Sequence, residues 1–234
     1  MHLYREAEPG QGSVCEVVLG EPTKDEDRSW REDGRGTRNG NVHTSPIGYA
    51  SKVMGIVQQP TSVLLILAIF SRHDPAIQWA LDQATQHWGR VALASQPFRF
   101  GETDYYQSTM GNDLVKQFFA FEKLVDPAHL VEFKHQTNAW ELAYGGKREV
   151  PEERPVNLDP GYLTGAKLVL ASTKDHAHRI YLTKGIYAEV TLHYTRRTWE
   201  PREWTYPDYR RGDYHEFFQH CRIYYRERLA ALNP

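Results

Sequence analysis

Cysteine is scarce. The 234-residue chain has only Cys15 and Cys221, too few and too far apart for a disulfide framework or a cysteine metal cluster. A reducing, cytoplasmic setting is therefore expected. Long apolar runs are also missing: the longest, Val63 to Phe70, falls well short of the roughly 20 residues that a membrane-spanning helix needs. No basic start followed by an apolar segment opens the sequence, so neither membrane passage nor an export signal is expected. Nor is there an excess of charge of one sign. Up to Val53 there are 7 Lys or Arg against 9 Asp or Glu, and from Met54 onward 21 against 21. A broad phosphate-backbone binder shows a basic face, so this balance disfavours nucleic acid as a partner, leaving Arg196, Arg197, Arg202, Arg210 and Arg211 as a local basic cluster. The motifs G-x-x-x-x-G-K-[ST], G-x-G-x-x-G and G-x-S-x-G are absent, which disfavours ordinary P-loop, dinucleotide and nucleophile-elbow chemistry.

Residues 1–53 are rich in Gly, Asp, Glu, Arg and Asn and show no sustained period of 2 or 3.6. They are expected to be a disordered tail. Met54 opens a polar lead into a strand, which makes it a candidate true start, with the tail the product of a misassigned start codon; a genuine disordered extension is the alternative. With 40% apolar and 12% aromatic residues, the chain can bury one sizeable core. Residues 54–234 are read as a single α+β domain.

Three Asp-Pro pairs punctuate that domain, Asp74-Pro75, Asp126-Pro127 and Asp159-Pro160, each offering an N-cap carboxylate and a proline at the first helical position. The first predicted helix runs to about Trp88 with Ile77, Leu81, Ala84 and Trp88 on one face. The second carries Leu130, Phe133, Thr137, Trp140 and Tyr144. Strand-like runs precede both, Val63 to Phe70 and Leu114 to Phe121, and a shift of 52 residues superposes the two units. With Val91 to Phe100 and a segment near Val156 as the following strands, the order is βαββαβ, a ferredoxin-like split βαβ core. A third helix from Pro160 to about Lys174 should follow. A hairpin comes next, with strands Arg179 to Leu182 and Ile186 to Tyr194 and a three-residue loop closed by Gly185, placing Leu182 opposite Ile186 and Arg179 opposite Glu189. The chain ends in a helix opened by Asp213 and Glu216 and packed through Phe217, Cys221, Tyr224, Tyr225 and Arg228 or Leu229.

Groups able to do chemistry crowd between Asn157 and Tyr209. Alternation along Ile186 to His193 puts Tyr187 and Glu189 on a polar face, with Arg179 and Tyr181 across the hairpin. One reading is a sheet surface that binds a small polar or phosphorylated ligand through Lys174, Arg179, Tyr181, Lys184 and Tyr187. The plain alternative is a cross-strand ion pair. His178, beside Lys174, Asp175 and Arg179, is a candidate general acid or base; the alternative is a hydrogen-bonded histidine. Glu189 and Asp104, the latter in a loop, are the candidate carboxylates; Asp104 and Asp159 also suit helix caps, and Lys184 a solvated turn. No cofactor is expected: a metal on His176 and His178 would need third and fourth ligands, and no second such pair supplies them. Tyr206, Pro207, Asp208 and Tyr209 read as an ordered aromatic loop, at a core edge or a pocket wall.

From Met54 to the C-terminus the sequence resembles a bacterial family known as domain of unknown function 4416. The resemblance rests on TDYY at Thr103 to Tyr106, TMG at Thr109 to Gly111, FEKLVDP at Phe121 to Pro127 and VNLDPGYL at Val156 to Leu163. It continues through ASTKD and HRIYL, KGIYAEVTL at Lys184 to Leu192, and EWTYPDY ending at Tyr209. The family pattern carries a histidine in the place of His178. Some members bear a GTP-binding label, for which this chain has no P-loop. The resemblance implies a family without implying an activity.

Two readings follow. In the first, the protein binds a small anionic ligand, a nucleotide or phosphate ester, and acts on it: Lys174, Arg179 and Lys184 neutralise the anion, Glu189 and Asp104 orient it or serve as base, and His178 exchanges a proton. In the second, it is a non-catalytic interaction module that docks a protein through its aromatic C-terminal helix or Tyr-rich loop.

Overall fold

A computed structural model describes residues 57–103, 106–147 and 150–232. The expected tail, residues 1–53, and Asp104 lie outside the described residues. The described chain is a mixed α and β fold built on one large antiparallel sheet. In chain order the elements are β1 (Val63–Ser71), α1 (Asp74–Trp88), β2 (Val91–Ala94), β3 (Phe98–Phe100), α2 (Gln107–Met110), β4 (Leu114–Val125) and α3 (Leu130–Gly145). Then come β5 (Asn157–Leu163), β6 (Lys167–Ser172), β7 (Ile180–Thr183), β8 (Ile186–Thr195), β9 (Thr198–Pro201) and α4 (Gly212–Leu232). The sheet order is β2-β4-β1-β5-β6-β8-β7, with β3 on β4 and β9 on β8. It is thus longer than a four-stranded split βαβ sheet, and its order as a whole is not that of one.

β1 is buried on both faces, which is why it reads as a continuous apolar run instead of an alternation. Leu65, Leu67 and Ile69 meet α1 and α3 through Ala80, Ala84, Trp88, Trp140 and Tyr144. Leu64, Ile66 and Ala68 face the other way, toward Phe217, Phe218, Cys221 and Tyr225 of α4. The helices therefore flank the sheet on both sides. The aromatics of the last helix are largely spent on this core. Among the described residues no helix is long and apolar enough to cross a membrane.

The three Asp-Pro pairs behave differently. Asp74 lies inside the first turn of α1, after an N-cap at His73. Asp126 caps a 3-10 turn at Pro127–His129 that runs into α3, its carboxylate accepting from the Ala128 N–H at 2.8 Å. Asp159-Pro160 starts no helix: the expected third helix is the strand pair β5 and β6. An Asp-Pro step suits extended backbone as well as a cap, because proline pushes the preceding residue toward β.

Pro160 then decides how far that pair extends. The Thr164 N–H bonds the Lys167 carbonyl across the turn, so by alternation Tyr162 and position 160 also point toward β6. Proline has no N–H to donate there. The register of β5 and β6 ends at Gly161 with Leu170, while β5 stays paired with β1 down to Asn157. Beyond Gly161 the two strands fork.

The hairpin of β7 and β8 turns on two residues, Lys184 at φ 50° and Gly185 at φ 77°, which is a type I′ geometry and not the expected three-residue loop. Thr183 pairs with Ile186, an irregularity follows at Leu182, and Ile180 pairs with Ala188. The irregularity returns Arg179 to the level of Glu189. In β8 a second irregularity falls opposite Leu168 and Val169. As a result Ile186, Ala188 and Val190 pack toward the start of α3, whereas Leu192 joins the α4 side.

Gly161 tests the packing at the fork. A Cβ there would run into the Val169 carbonyl oxygen and lie 2.7 Å from Leu170 Cδ2. Gly161→Ala should lower stability by about 2 kcal/mol, read as an earlier midpoint in urea unfolding. An unchanged midpoint would mean that β5 and β6 do not approach this closely.

Candidate functional site

A cavity of about 450 Å³ opens where β5 and β6 part. Its walls come from both strands past the fork, from α3, from the segment that leads into α2, and from the 3-10 turn Pro207–Arg210. Charged side chains converge there in pairs.

The first pairs replace the missing strand contact. Leu158 presents its backbone groups to the side that β6 has left, and α3 satisfies both: the Leu158 N–H donates to Glu141 Oε1 at 2.7 Å and Lys134 Nζ donates to the Leu158 carbonyl at 2.9 Å. Lys134 Nζ also reaches Asp159 Oδ1 at 3.3 Å. Asn157 Nδ2 donates to Asp159 Oδ2 at 2.9 Å, and Arg154 grips Glu141 at 2.8 Å and the Asn157 amide oxygen. Burial alone would push the Asp159 carboxyl up, but Lys134, Lys116 and Arg154 outweigh it and hold it below the ordinary aspartate range. Burial pushes the Glu141 carboxyl up against the pull of Lys134 and Arg154.

Lys116 stands on β4 beside Phe70 of β1, on the face that also bears Phe118. It is 3% exposed, and its Nζ meets Asp208 Oδ2 at 2.7 Å. The rings of Phe70, Phe100, Phe118 and Tyr209 surround the ammonium, Tyr209 closest at 4.4 Å to its centroid. The Tyr209 hydroxyl, beside this pair, has no hydrogen-bond partner among the described residues. Burial, with Asp208 and Asp159 near it, lifts its pKa well above the usual tyrosine value, so it stays a neutral donor.

On the other side of the cavity Arg179 holds Glu189 at 2.7 Å through Nε. Its remaining groups reach Ser172 Oγ at 2.5 Å, the Lys174 carbonyl at 3.1 Å and the Tyr206 hydroxyl at 3.0 Å. Thr191 donates to the second Glu189 oxygen at 3.0 Å, and His178 Nε2 lies 3.2 Å from the first. His178 is stacked on Trp204, ring centres 5.4 Å apart and 9° from parallel.

A family model described as a domain of unknown function (DUF4416) matches residues 61–225. The chain belongs to that family. No curated protein and no solved structure matches it. Every cavity residue named above lies inside the DUF4416 segment.

Of the residues read from sequence, Lys174, Arg179 and Glu189 line the cavity of this DUF4416 domain, with His176. His178 touches Glu189 from behind. Tyr181 is 57% exposed and packs on Tyr187 outside the lining, and Lys184 occupies the hairpin tip. Asp104 cannot be placed, being outside the described residues. Among those residues no three His, Cys, Asp or Glu side chains gather as a metal would require, and the His176 and His178 rings are 5.7 Å apart.

Lys116, Lys134, Asn138, Arg154 and Asn157 were not singled out from the sequence, and Asp159 and Asp208 were read there only as a helix cap and as part of an aromatic loop. Two signals were present. Lys116 takes a core position in the alternation Leu114, Lys116, Phe118, Ala120, and Lys134, Asn138 and Glu141 form a polar stripe at helical spacing beside an apolar face.

The buried pair yields a direct test. Asp208→Ala leaves the Lys116 ammonium without its counter-charge and should cost about 3 kcal/mol or more, whereas adding Lys116→Met should recover most of the loss. Urea unfolding of both variants reads this out, and additive losses would contradict the pairing.

Proposed function

We propose that this protein binds a small anionic ligand, of the nucleotide or phosphate-ester class, in the forked cavity. The observation that carries the reading is the convergence of Lys116, Lys134, Arg154, Lys174 and Arg179 on one partly enclosed cavity of about 450 Å³, a size that suits a small molecule. The cations differ in what they have left to offer. Arg179 is 3% exposed at its side chain, with Nε, Nη1 and Nη2 all bonded within the protein, so it frames the site by fixing Glu189, Ser172 and Tyr206. Arg154 is 38% exposed, and among the described residues its Nη1 makes no hydrogen bond, so it presents a donor to the anion. Lys134 and Asn157 support it, while Phe100, Tyr106 and Tyr206 offer aromatic surface for a ring. In this reading Lys174 adds charge, Glu189 and Asp159 orient polar groups of the ligand, and His178 exchanges protons with Glu189. A cytoplasmic location and a ferredoxin-like core belong to the same proposal. The core is supported by the units β1-α1-β2 and β4-α3-β5 and by the neighbour order β2-β4-β1-β5.

Thermal shifts of the full chain against nucleotides, sugar phosphates and inorganic pyrophosphate test the proposal. A ligand at a hundred times its dissociation constant should stabilise by about 2.7 kcal/mol. Arg154→Gln should abolish the shift while leaving the unliganded melting temperature within a few degrees. No shift from any anion, or an equal shift in Arg154→Gln, would refute the reading.

A further inference from the structure

The end of the sheet opposite the fork carries a second concavity, about 560 Å³ and open to solvent, between the β5–β6 turn and the second half of α4. Among the described residues its lining includes Lys167, Arg222 and Arg226 and no carboxylate. None of these three cations has an ion-pair partner among the described residues, in contrast to Lys116, Lys134, Arg154, Arg179 and Arg211. The walls are braced. Arg222 donates through Nε to the Gly165 carbonyl at 2.7 Å and lies 3.6 Å over the Tyr194 ring. Thr164 Oγ1 accepts from the Ala166 and Lys167 N–H groups at 3.1 Å each, which pins the turn that carries Lys167. Tyr225 donates to the Ser62 carbonyl at 3.0 Å, tying α4 to the strand end below it. Val63, Pro127, Tyr162 and Leu229 add apolar surface between the cations.

We propose that this groove docks an acidic peptide segment of a partner protein, with carboxylates on Lys167, Arg222 and Arg226 and an apolar residue against Tyr162 and Leu229. Charge complementarity selects the sign of the partner. Its openness favours a chain laid across the surface over a small anion, because small-molecule sites enclose most of their ligand and this concavity is open to solvent. The surface is separate from the fork and does not depend on the ligand bound there.

The experiment is fluorescence anisotropy of a fluorescein-labelled peptide alternating glutamate with leucine, titrated with the full chain. Saturable binding is expected, weakened about tenfold or more by Lys167→Glu combined with Arg226→Glu, weakened by salt, and absent for the glutamine version of the peptide. Both substituted side chains are exposed, and an unchanged melting temperature would show that the double variant folds. Binding that is absent, or equal in the double variant, would overturn the proposal. So would binding lost in Arg154→Gln, which would move the peptide to the fork, or displaced by inorganic phosphate at constant ionic strength, which would make the groove a small-anion site.

Discussion

A single missing hydrogen-bond donor organises the centre of this domain. Pro160 sits where the ladder between β5 and β6 would need an N–H, and the strands separate there while β5 remains seated on β1. The separation leaves the backbone of Leu158 facing a gap, and buried amide groups require partners. α3 supplies them with Glu141 and Lys134, whose other contacts, to Arg154 and Asp159, extend into the cavity. On the β6 side Ser172 serves as acceptor for Arg179, which in turn holds Glu189 and Tyr206. The polar network is thus what two strands acquire when they stop pairing with each other.

Such networks are poor sources of stability. Taking Lys116 and Asp208 out of water costs several kcal/mol per ion, and their attraction does little more than offset that cost. What they provide is fixed geometry: in the proposed reading, charges already desolvated and oriented need not reorganise when a ligand arrives. A well-packed apolar core lies on both faces of β1, formed by α1 and α3 on one side and α4 on the other, so the domain carries this polar inset on a stable support. On the proposed reading, the near balance of cations and carboxylates around the cavity favours a ligand that presents an anionic group to Arg154 together with neutral polar groups to Asp159, Glu189 and the Tyr209 hydroxyl.

Much of the framework was legible in the sequence because it depends on periodicity. The faces of α1, α3 and α4 follow from apolar spacing, and Arg179 meets Glu189 as the hairpin pattern required, even though the turn is shorter, because the irregularity at Leu182 absorbs the difference. Asp159-Pro160 was misread because capping and extended geometry share the same dipeptide, and only the register with β1 distinguishes them. The cavity was half legible. Lys174, Arg179 and Glu189 are close in sequence, so hairpin alternation found Arg179 and Glu189 and the neighbouring charge drew in Lys174. Lys116 and Asp208 are 92 residues apart, and Lys134 and Asp159 are 25 apart, so tertiary pairing alone brings them together. A lysine in the core register of β4 was the visible trace of that pairing.

The account stands on the fork being the place where an anion binds. Amide chemical shifts of the isotopically labelled full chain, followed during titration with inorganic pyrophosphate, test this directly because they report location as well as binding. The prediction is saturable shifts concentrated at Asn157, Leu158, Asp159, Ser172, Lys174 and Glu189. Shifts confined to the opposite groove around Gly165 and Arg222, or none at all, would contradict it.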